Sequence, residues 1–187
     1  MGTLEAQELV ALACRTADGQ PDVAVNLQVC ELVQAAPRAC KDALLEIQRT
    51  LKSKDASVVR LVLILLDTCL CEGGAAFVAG ASTVAFTYTY TSMLNNLRFL
   101  HPSGQSEQWR QVYALALYYV QRWSTALQLR QYQLLHYHLQ QQGDVVFPSD
   151  PPGGALAPRP PPPGPAAMRG ADVGGGAVVG YPVAPVV

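Results

Sequence analysis

Residues 58–74, VVRLVLILLDTCLCEGG, form the most hydrophobic stretch of a 187-residue chain. Two charges decide what it can be. Arg60 and Asp67 bracket an apolar run, Leu61 to Leu66, of six residues. A bilayer-spanning helix needs about 20 apolar residues in succession. The stretch is therefore expected to be a core element. As a helix it carries Val58, Val59, Leu61, Val62, Ile64, Leu65, Leu66 and Cys69 on most of its faces. A helix that is apolar nearly all round must be covered on several sides. Asp55 is its expected N-cap, and Gly73 and Gly74 its stop.

The flanking sequence reads as helix after helix. In TLEAQELVALACRTA, Leu4, Leu9, Leu12 and Ala13 are expected on one face behind a Thr3 cap. After DGQPD, Asp22 should cap VAVNLQVCELVQAA, with Val25, Val29, Leu32 and Val33 inward. Pro37 suits the start of the next helix, whose apolar set is Leu44, Leu45, Ile47 and Leu51. AAFVAGAS reads as a short apolar turn. STVAFTYTYTSMLNNLRFL alternates Thr with aromatics in its middle, which is strand chemistry by propensity. A lone strand would have no partner, so helix is expected there. QWRQVYALALYYVQRWSTAL and RQYQLLHYHLQQQ complete the series, the last ending at Gly143. The expected fold is all-α, about eight helices stacked as a superhelix around the stretch 58–74.

Composition changes near Phe147. Beyond it Pro and Gly dominate, and such a segment buries too little apolar surface to offset its ordering entropy. Residues 149–187 are expected to be a disordered tail, with polyproline II around Pro158 to Pro163. A net charge of −1 argues against a nucleic-acid partner. The N-terminus is acidic and has no continuous apolar segment of the secretory type. Five cysteines at irregular spacing read as reduced thiols in a cytosolic setting.

Four segments in order resemble one family. KDASVVRLVLILLDTCLCEGGAAF is similar to the central helix of VHS domains, and DVAVNLQVCELVQAAPRACKDAL to their second and third helices. VYALALYYVQRWSTAL is similar to the seventh helix with its late Trp, and LQQQGDVVFP to the closing segment. The likeness covers about residues 3–148 and is nearest to the target-of-Myb and signal-transducing-adaptor groups. Glu72-Gly73-Gly74 departs from the family's usual Asn-Cys-Gly. The resemblance implies a right-handed ENTH/VHS superhelix and a non-enzymatic adaptor in endosomal or Golgi sorting, cytoplasmic and peripheral on membranes. Only the tail is expected to follow the domain, without the GAT, FYVE or SH3 domain usual in the family.

The resemblance also implies surfaces. A ubiquitin-binding pair on the second helix falls on Val23 and Leu27. Spacing of four puts both on one face, but Val in place of the family's Trp loses anchor area. Weak ubiquitin binding is one reading, and an ordinary first-turn valine is the other. The family's groove for acidic dileucine signals falls on Thr83 to Phe86 and Gln140 to Gln142, which lack cations, so that activity is not expected. From the residues alone, Arg38, Lys41, Arg49, Lys52, Lys54 and Arg60 exceed Asp42, Glu46 and Asp55 by three charges. Such a run is either a solvated helix face or a patch for phosphoinositide-bearing membranes, with Lys41, Lys52 and Lys54 as candidates. In the tail, Arg159, Pro162 and Pro165 have the spacing of an SH3 ligand on one polyproline II edge. A structural scaffold recruiting SH3-type partners is the alternative function.

No catalytic group, metal or cofactor is expected. His136 and His138, like Cys69 and Cys71, are two apart and diverge on a helix, whereas helical zinc pairs sit three or four apart.

Overall fold

The computed structural model describes residues 3–99 and 106–152. The tail beyond Pro152, with Arg159, Pro162 and Pro165, lies outside the described residues. Those residues form eight helices and no strand. They are α1 (Thr3–Ala13), α2 (Val23–Ala35), α3 (Pro37–Thr50), α4 (Ala56–Glu72), α5 (Gly74–Ala81), α6 (Val84–Phe99), α7 (Glu107–Thr125) and α8 (Arg130–Gln141).

Residues 58–72 lie in α4, the centre of the superhelix. Val59, Leu61 to Leu66, Cys69 and Leu70 are all buried. Helices α1, α2, α3, α5 and α7 pack on it. Asp55 caps it by accepting from the backbone N–H groups of Ser57 and Val58 at 2.8 and 3.4 Å. Asp22 caps α2 in the same way, accepting from Ala24 and Val25. Pro37 opens α3.

The stop after α4 is a corner, and AAFVAGAS is a helix rather than the expected turn. Gly73 ends α4 and Gly74, at φ +80°, starts α5 directly. A Cβ on Gly73 would sit 2.5 Å from the Cys69 carbonyl oxygen. The left-handed backbone at Gly74 costs a glycine little.

The Thr-aromatic segment is the helix α6. Phe86, Tyr90, Met93, Leu94 and Leu97 are buried, at helical spacing. The threonine hydroxyls fold back onto the preceding turn: Thr87 donates to the Thr83 carbonyl and Thr91 to that of Thr87, at 2.8 and 2.9 Å. Tertiary burial thus outweighs strand propensity.

Two expected core faces need correction. Leu12 is 55% exposed, and the buried face of α1 is Ala6, Val10, Ala13 and Cys14. Leu45 is 51% exposed, and α3 buries Ala39, Cys40, Ala43 and Ile47. Helices α1, α2 and α3 pack closely on one another, and small residues at the contact let their backbones approach. The larger leucines are left on the outside or at the edges.

Candidate docking surfaces

Helix α2 presents one face inward and one outward. Asn26, Val29, Cys30 and Val33 are buried and hold it against its neighbours. Cys30 donates to Cys69 of α4 across 3.6 Å. With that bond and burial, the Cys69 thiol is held well above its usual range. Burial pushes Cys14 up to about 12. These thiols behave as small core hydrophobes, since the reactive species is the thiolate.

The outward face of α2 carries Val23 and Leu27, 50% and 38% exposed. Both are one helical turn apart, and Glu31 follows one turn later on the same side. Beside them runs a groove between α1 and α2 lined by Leu9, Leu12 and Leu32 and by Glu5, Glu8 and Glu31. An apolar pair next to an acidic groove suits a partner whose apolar patch is ringed by cations.

The lysines of the expected patch do not all meet. Lys41 is exposed on α3, about three turns from Lys52. Arg49 pairs with Glu46 at 3.1 Å, and Arg60 donates to the Gly19 carbonyl at 2.9 Å. Lys52 and Lys54, in the turn between α3 and α4, do come together. They line the mouth of a cavity of about 420 Å³ walled by Leu51, Val59, Met93, Leu97 and Trp109. Ser53 and Asn96 also line it, and among the described residues its lining contains no carboxylate. Sequence reasoning missed Met93, Asn96 and Trp109. They arrive from α6 and α7, and no local spacing links them to the lysines.

The second surface implied by the resemblance, between α6 and α8, has its nearest cation engaged. Arg98 bonds to Gln142 and Asp144. Among the described residues no group of three or more His, Cys, Asp or Glu could hold a metal ion, and no helix is long and apolar enough to cross a membrane.

The all-helical architecture agrees with what comparison with known proteins finds. Residues 3–143 match the VHS domain family. The chain belongs to the VHS family. A relative named vacuolar protein sorting-associated protein 27, from Mycosarcoma maydis, is 32% identical over 112 residues, covering 60% of this chain and 11% of the relative. Its namesake from Yarrowia lipolytica is 28% identical over 135 residues, covering 70% of this chain and 22% of the relative. The chain therefore spans a minor part of these relatives' length. The VHS and FYVE tandem domains of Hrs, described as a protein involved in membrane trafficking and signal transduction, superpose with a TM-score of 0.61 at 20% identity. That match covers 79% of this chain and 64% of the other, and speaks for the fold alone.

The chain continues to pack on the helices past residue 143. Val145 and Phe147 lie against the core, and the Phe147 ring meets His136 edge-on at 4.5 Å.

Proposed function

We propose that this VHS domain is a non-enzymatic adaptor in endosomal protein sorting that docks ubiquitinated cargo weakly on the outer face of α2. The observation that carries the reading is the exposed pair Val23 and Leu27 on a helix whose other face is locked into the core. Relatives named for vacuolar protein sorting support the process. The affinity is low because the first anchor is a valine, with little contact area. Titrating ubiquitin against the chain and its Val23→Trp and Leu27→Asp variants tests it. Val23→Trp should tighten binding about tenfold, and Leu27→Asp should abolish it. Equal affinities in all three would reject the α2 face.

A second reading, peripheral attachment to anionic membranes, is favoured by Lys52 and Lys54 at one cavity mouth, with no carboxylate among the described residues of its lining. Each well-placed cation contributes about 1 kcal/mol at an anionic surface. Flotation with phosphatidylserine or phosphoinositide vesicles should recover the intact chain and lose the Lys52→Ala/Lys54→Ala variant. Unchanged flotation of that variant would reject this reading.

A further inference from the structure

We infer that the cavity behind Lys52 and Lys54 is a binding site for a single-chain anionic lipid, its acyl chain inside and its acid group on the two lysines. This deepens the membrane reading above, since it uses the same lysines, but it adds an occupant that surface charge alone does not require. Three observations lead there. The walls are apolar: Leu51, Met93 and Leu97 are buried residues, and Val59 and Trp109 close the sides. The volume, about 420 Å³, falls in the range of about 300–1,000 Å³ typical of small-molecule sites. Among the described residues, the charge at the mouth has one sign. The closest acid in sequence, Asp55, is occupied in capping α4. A ligand that satisfies both regions must be apolar over most of its length and anionic at one end. An uncharged hydrocarbon would leave the lysines unused, and a bare phosphate would leave the apolar walls empty.

Trp109 gives the site its own reporter. It lines the cavity, whereas the other tryptophan, Trp123, is fully buried among Tyr90, Tyr119 and Tyr132. The experiment is fluorescence quenching of the full chain by a brominated long-chain fatty acid below its micelle concentration. Quenching should saturate and should largely vanish in Trp109→Phe. Lys52→Ala/Lys54→Ala should raise the half-quenching concentration about tenfold or more, and the uncharged methyl ester should bind correspondingly less well. In methyl-labelled protein the Met93 methyl should shift with the unbrominated acid. Quenching retained in Trp109→Phe, or an unmoved Met93 methyl, would overturn the proposal. So would a Met93 shift produced by an acidic peptide with one aromatic residue and not by the fatty acid, which would make the occupant a peptide. Flotation on vesicles of two-chain anionic lipids separates the two readings. Flotation without quenching rejects the acyl site and leaves the surface reading standing.

Discussion

The Asp67 carboxylate accepts from the Trp123 indole at 2.8 Å and from the Arg122 guanidinium at 3.1 Å. Both side chains of this ion pair are nearly buried, and Arg122 also reaches the Cys71 sulfur at 3.5 Å. Asp67→Ala would remove the acceptor of the Trp123 indole and the counter-charge of the Arg122 guanidinium inside the α4–α7 contact. A loss of about 3–5 kcal/mol in denaturant unfolding is expected. Burial pushes the Asp67 carboxyl up, with Arg122 and Trp123 opposing. The folded chain then holds this proton to higher pH than the unfolded chain does. Asp67 therefore lowers stability as pH rises from the ordinary carboxylate value of 3.8 through its raised value. The difference in stability between the native chain and Asp67→Asn should change across that window, in favour of Asn as pH rises, and be flat above it. In the sequence Asp67 was legible only as a charge interrupting an apolar run. Its partners lie 55 and 56 positions away, and no local pattern announces them.

At the scale of elements, the corner between α4 and α5 depends on Gly73. Its hypothetical Cβ would meet backbone, which cannot move aside as a side-chain end can. Gly73→Ala should cost about 1–3 kcal/mol in thermal or denaturant unfolding, the range for overpacking. It should also shift amide resonances around Cys69 and Phe77, whose atoms that Cβ would meet. Helix existence was legible almost throughout. The caps at Asp22 and Asp55, Pro37 at a helix start and the glycine stops all leave local signatures. Helix faces were less so. Leu12 and Leu45 are at positions a hydropathy rule sends inward. The tight packing of α1, α2 and α3 instead seats alanines and cysteines, and that depends on neighbours distant in sequence. The aromatic core explains α6 similarly. Tyr90 donates to the Ala116 carbonyl at 3.0 Å and meets Trp123 and Tyr132 edge-on. A strand there would forfeit those contacts.

Across the whole molecule, a buried centre supports the two proposed docking faces. Helix α4 is covered on nearly every side, so it orients the others, and the proposed docking faces are the outer surfaces of α2 and of the α3–α4 turn. The α2 pair could be placed from the family pattern because it needs only one helix and a spacing of four. The cavity could not, because it is assembled from α3, α4, α6 and α7 and exists only after they pack. The most direct test of the adaptor account is an NMR titration of the isotope-labelled chain with unlabelled ubiquitin. The account predicts fast-exchange shifts centred on Val23, Leu27 and their α2 neighbours, with α4 core signals unmoved. An absence of shifts at millimolar ubiquitin, or shifts centred on another face, would contradict it.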